Sequence, residues 1–154
     1  MRKTSWGSGS ALFLFMPFMV EAAELVVHDA WMREVPPTSP VGAVYLDIEN
    51  QGSIACAITD VSIAAPFTAS LHQSVHAGEG VRMQAVDAIP IRAGERLNFV
   101  STGHHLMIDF GGERAPAPGA KLMLQLTACD HQMQIESEVR LDAGDGSDHE
   151  HHHH

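Results

Sequence analysis

The chain has 154 residues, with 9 Lys and Arg against 19 Asp and Glu, a formal net charge of −10. That length admits one ordinary domain, and the 45% apolar share supplies a core and excludes a disordered acidic chain. The acidic balance excludes a nucleic-acid binder that works by neutralising phosphates and suits cationic partners. Eleven His and eight Met are the compositional oddity.

The amino terminus carries Arg2 and Lys3, a Gly/Ser spacer and the apolar run Ala11 to Val20. Ten apolar residues are too few for a membrane-spanning helix, which needs about 20. A charged start, a short apolar core and small residues at Val20 and Ala22 form the layout of a secretory signal. Residues 1–22 are therefore expected to be removed, which places the mature protein in the periplasm. No later segment is apolar enough to span a bilayer, so no membrane span is expected after removal of the signal. Cys56 and Cys129 raise the question of a disulfide in an exported protein. Cys56 reads equally well as a small core residue, and the pairing stays open at this point.

From Leu25 onward the chain reads as short strands broken by turn signals, one domain over residues 23–142. Leu25 to His28 is the first run. The Pro-rich connection Glu34 to Pro40 leads into a strand over Ala43 to Ile48, ended by Asn50-Gln51-Gly52. After Ile54 to Ile63, Pro66 opens a strand in which Phe67, Ala69 and Leu71 share one face while Thr68, Ser70 and His72 share the other. Ala77 to Gly80 reads as a hairpin loop, and Ala93-Gly94-Glu95 as a turn. Leu106 to Phe110 forms a strand closed by Gly111-Gly112. A last hairpin sets Leu122, Leu124 and Leu126 against Met133, Ile135, Val139 and Leu141 across a turn at Cys129 to Gln132. Seven to nine strands at this spacing predict an all-β, antiparallel Greek-key sandwich or barrel. Residues 143–154 read by composition as a flexible His-rich tail, either a native metal-binding tail or a purification tag.

Strand parity sorts the histidines and methionines. In His105 to Phe110 the core face is Leu106, Ile108 and Phe110, so His105 and Met107 share the opposite face. Leu71 turns His72 the same way. An outward imidazole beside an outward thioether gains little from burial and makes a soft ligand pair suited to Cu(I). His104 has core-face parity and reads as structural. His28 reads as a sheet-edge residue. His76, four residues past His72, would suit a zinc pair on a helix, but Gly78 and Gly80 argue for a loop. Cys129-x-His131-x-Met133 superficially suggests a blue-copper loop, although its spacers are too short to wrap one metal.

The spacing His72-x10-Met83-x21-His105-x-Met107 resembles the PCuAC family of periplasmic copper chaperones, which carry this motif on a cupredoxin-like β-sandwich. The resemblance extends to His28-Asp29-Ala30-Trp31, to Gly42-Ala43-Val44-Tyr45 with Asn50, and to Gly103-His104-His105-Leu106-Met107. Gln73 stands where many members have an extra Met. The resemblance implies that His72, Met83, His105 and Met107 bind one Cu(I). It also implies delivery to an acceptor such as a Sco-type thiol protein or cytochrome c oxidase during assembly of its copper centres. His149, His151, His152, His153 and His154 form a candidate Cu(II) site in the tail.

Three other functions compete. Periplasmic copper storage or detoxification would use the same site. An electron-transfer cupredoxin would need a thiolate ligand. An enzyme finds no support, because no nucleophile–base constellation or G-x-S-x-G signature is present.

Overall fold

The computed structural model describes residues 24–141 of the chain. The signal-like segment 1–22 and the tail 143–154 lie outside the described residues.

Ten strands follow one another in the described residues, with no helix among them. They are β1 (Leu25–Arg33), β2 (Val41–Asn50), β3 (Cys56–Ile63), β4 (Thr68–Ala77) and β5 (Gly80–Ala85), then β6 (Ile89–Ile91), β7 (Arg96–Asn98), β8 (His104–Asp109), β9 (Lys121–Ala128) and β10 (His131–Arg140). They form one sheet in the order β5-β4-β8-β2-β1-β10-β9-β3-β6, with β7 also pairing β2. This bears out the all-β, cupredoxin-like expectation. The sheet is nevertheless mixed: every pairing is antiparallel except that of β1 with β10, which is parallel. The two ends of the domain meet in that pair, a relation between distant segments on which local pattern is silent. The count is one above the expected upper figure because the segment around Ala93-Gly94-Glu95 is bordered by two separate three-residue strands, β6 and β7.

Alternation of burial follows the sequence pattern closely in β9, where Leu122, Leu124 and Leu126 are buried and Lys121, Met123 and Gln125 are exposed. Their partners Ser137, Ile135 and Met133 on β10 point the same way. Leu141 departs from its expected place in this hairpin: it lies past the end of β10 and is exposed. The core gathers Met32, Val44, Ile48, Leu71, Leu106, Ile108, Phe110, Leu124 and Ile135, among others, around Phe110 and its neighbour Phe67. Gly42 lets β2 approach this core, since a Cβ there would stand 2.5 Å from the Met32 Cε and 2.9 Å from the Phe110 Cζ.

The β9–β10 turn is tighter than the predicted four residues. Ala128 pairs directly with His131, leaving Cys129 and Asp130 as a two-residue loop with φ of 53° and 61°. Two positive φ values are what a primed hairpin turn demands, and Asp tolerates that region better than most residues. The same turn presents Cys129 to β3: its N–H donates to the Ala57 carbonyl at 3.0 Å, and its sulfur is bonded to that of Cys56, 73 residues earlier. The open question of pairing is thereby answered. Both cysteines of the chain are in this disulfide.

Candidate metal centre

The β4–β8 register decides how the candidate ligands meet. His72 stands directly opposite His105, and Ser70 opposite Met107. Directly opposed residues project on the same side of a sheet, so His72, His105 and Met107 share one face. On the far side of β4, Met83 of β5 pairs with Ser74 and joins that face as well. Met83 and Met107 therefore flank one cross-strand histidine pair, whose ring centroids are 5.9 Å apart. Met107 lies two residues to one side of the pair along the strands, and Met83 lies two residues to the other.

The environment is less open than strand parity predicts. His105 faces away from the Leu106–Ile108 side as expected, yet it is only 1% exposed. On the same side of β2, Tyr45 is also buried, with Trp31 against it at 4.9 Å between ring centroids and the Arg33 guanidinium over its ring. The turn before β8 is tied to β4, with the Ser74 N–H donating to the Gly103 carbonyl at 3.0 Å and the Ser74 hydroxyl to the Ser101 carbonyl at 2.7 Å. Met107 is half-buried, whereas Met83 on the edge strand is 53% exposed.

Hydrogen bonding orients both rings. The Gly103 carbonyl lies 3.3 Å from His105 Nδ1. A carbonyl can only accept, so Nδ1 carries the proton and Nε2 keeps its lone pair. That Nε2 is buried and has no partner. In His72 the Ser70 hydroxyl lies 3.0 Å from Nε2, and the buried Nδ1 has no partner. Burial holds His72, His104 and His105 below the ordinary imidazole pKa. For His105 the Gly103 carbonyl opposes that shift, while the neighbouring His72 and His104 reinforce it. Both rings of the pair are thus biased toward the neutral form, the form that binds metals. Among the described residues no three His, Cys, Asp or Glu side chains cluster as a metal site; the sulfur-bearing side chains on this face are Met83 and Met107.

Other histidines sit differently from their sequence readings. His28 is not at a sheet edge, because β1 lies between β2 and β10. It occupies an irregularity in the β1–β2 register between Val27 and Asp29 and pairs with the Glu49 carboxylate at 2.7 Å. His76 is not in a loop: it belongs to β4, opposite Val81, and only Gly78 and Glu79 make the turn. His104 turns toward Phe99, 6.0 Å between ring centroids, in keeping with a structural role. His131 opens β10 directly after the turn, and Cys129 is bonded to Cys56, which removes the apparent blue-copper loop. The tail histidines His149 and His151 to His154 lie outside the described residues. Ser70 and the Gly103 carbonyl escaped the sequence reading; strand parity places Ser70 beside His72, but nothing local announces a main-chain acceptor.

Residues 25–140 match the family model LpqE-like. This chain belongs to the LpqE-like family, whose model is described as putative lipoprotein LpqE-like. No curated protein matches it in sequence. Among solved structures, it is similar to the apo PCuAC domain from PmoF1, with TM-score 0.62 and 14% identity over 79% of this chain and 98% of that one. The copper-bound PCuAC domain from PmoF2 superposes with TM-score 0.59 and 16% identity over 80% and 99% of the two chains. Apo-DR1885 from Deinococcus radiodurans superposes with TM-score 0.55 and 19% identity over 92% and 98%. At these identities the likeness is one of fold. No helix among the described residues is long and apolar enough to cross a membrane.

Proposed function

We propose that this LpqE-like protein is an exported copper carrier that holds one Cu(I) between His72 and His105, with Met83 and Met107 as sulfur donors, and passes it to an acceptor. The observation that carries the reading is the buried, unpartnered Nε2 of His105 beside the unpartnered Nδ1 of His72. A buried polar atom without a partner is costly unless something satisfies it, and a soft monovalent ion satisfies a neutral imidazole. Metal–imidazole bonds of about 2 Å from two rings 5.9 Å apart meet at a single ion. The copper-bound PCuAC domain of the same fold supports copper as the cargo.

The donor set suits transfer. Two imidazoles and two thioethers are neutral, so the ion keeps its charge and no thiolate traps it. An acceptor with thiolates, such as a Sco-type protein or one serving the copper centres of cytochrome c oxidase, takes the ion by stepwise ligand exchange. Electron transfer of the blue-copper kind lacks its ligand, because it requires a free thiolate and both cysteines are in the disulfide. In this reading the function is binding and release of the ion. Residues 1–22 act as the export signal in this reading, which places the carrier in the periplasm.

X-ray absorption of the Cu(I)-loaded protein tests the assignment. Two nitrogen and two sulfur neighbours are expected, unchanged after removal of residues 143–154. A first shell without sulfur overturns it.

A further inference from the structure

We propose that His76 and Met83 form an outer Cu(I) site at the free edge of the sheet, through which the ion enters and leaves the His72–His105 centre. The inference rests on the copper-carrier reading and extends it to a residue outside the four-ligand motif.

Alternation along β4 sets His72, Ser74 and His76 on one face. In the β4–β5 register Met83 is opposite Ser74, His72 opposite Ala85 and His76 opposite Val81. Met83 is therefore the diagonal neighbour of both histidines. Diagonal neighbours are about 7–8 Å apart, within reach of long side chains. Methionine has three rotatable bonds and a polarisable sulfur, so one thioether can turn toward either ring.

Exposure orders the two positions. His105 is 1% exposed, while His76 and every residue of β5 are exposed. β5 is also the terminal strand of the sheet, so an ion arriving from solution or from a partner meets His76 and Met83 first. Met107 cannot serve this purpose, because it lies on the opposite side of the histidine pair, across from Ser70. The exchange is balanced without a further reactant. Sulfur of Met83 stays bonded while the bond from copper to His76 breaks and a bond to His72 forms. Copper remains Cu(I), and the donors exchanged are both neutral imidazoles.

The test uses the full chain and a coloured Cu(I)–bicinchoninate complex as donor, followed by stopped flow. His76→Ala is expected to slow loading and chelator-driven removal several-fold and equally, leaving the equilibrium affinity unchanged. Loading and removal at wild-type speed overturn the outer site, as does a large loss of equilibrium affinity, which would place His76 among the inner ligands. A second measurement uses His72→Gln, which impairs the inner centre and leaves buried His105 in place. Adding Ag(I) to that variant is expected to shift the His76 ring resonances, and adding Met83→Ala to abolish the shift; unmoved His76 resonances overturn the proposal. A wild-type protein that takes no Cu(I) from the donor would instead overturn the carrier reading itself.

Discussion

His72 and His105 stand directly opposite each other across the β4–β8 pairing, and each carries one buried ring nitrogen without a partner. Their other nitrogens are engaged, by the Ser70 hydroxyl and the Gly103 carbonyl respectively. The pair is thus oriented before any ion arrives. In the proposed carrier role such an arrangement needs little reorganisation on binding, which favours loading and unloading.

Each thioether is expected to matter to affinity. Met83→Ala and Met107→Ala should each weaken Cu(I) binding more than about tenfold, the smallest loss typical of changes even outside the ligand shell. Competition titration against a Cu(I) chelator under reducing conditions measures this. Unchanged affinity in both variants would contradict the ligand set.

Ser70→Ala should leave the fold intact, since the residue is exposed, and should shift the tautomer balance of His72 by removing the hydroxyl beside Nε2, which can donate or accept. Long-range nitrogen–proton NMR of the apo protein reads the tautomer directly. A weakening of Cu(I) binding of about tenfold should accompany it, and Ser70→Thr should restore both.

The Cys56–Cys129 disulfide spans 73 residues and ties the β9–β10 turn to β3. Replacing both cysteines with serine should cost about 2–4 kcal/mol, mainly through a freer unfolded chain. Urea unfolding of the variant beside the wild type gives the value. Copper affinity should change little, because neither cysteine lies on the face that carries His72 and His105.

Arg140 holds the Asp29 carboxylate with two hydrogen bonds, 2.8 and 2.9 Å, joining β10 to β1. That bond, ahead of opposing desolvation, holds the Asp29 pKa below its ordinary value. A carboxylate with a lowered folded pKa contributes stability that is present above its unfolded pKa, about 3.9, and is lost as pH falls through the folded value. Arg140→Ala should therefore reduce stability near neutral pH, by no more than about 1 kcal/mol because the pair is partly exposed and screened. The gap between variant and wild type should close in acid below the ordinary Asp range. Thermal unfolding at several pH values checks the sign.

Gly111 opens the turn after β8 with φ of 61°, and a Cβ there would stand 2.5 Å from the Pro66 carbonyl oxygen. The obstacle is main chain and cannot swing aside. Gly111→Ala should cost about 1–3 kcal/mol, measured by denaturant midpoint, whereas Gly112→Ala meets no atom within 4 Å and pays only for its positive φ.

Much of the site was legible because a strand's period of two is a local property. Leu71 and Leu106 declare the core side, and His72, His105 and Met107 follow from them without any knowledge of which strands pair. The same rule failed for exposure. An outward side chain is open to water only if nothing covers that face, and His105 is buried although it points away from the core side. It failed again for His28, where centrality in the sheet depends on β10 arriving from the far end of the chain. His76 was misplaced because two glycines suggested a loop, whereas pairing with β5 extends β4 through Ala77.

Composition, strand periodicity and the spacing of four soft donors were enough to establish an all-β domain and the residues that face away from its core. Strand periodicity rests on near neighbours, which any short stretch of chain already contains, and the donor spacing is read directly along the chain. The union of Cys56 with Cys129, the parallel closure of β1 on β10 and the meeting of His72 with His105 were decided only in three dimensions. Each joins segments separated by dozens of residues, and such pairings are selected by the packing of the whole core.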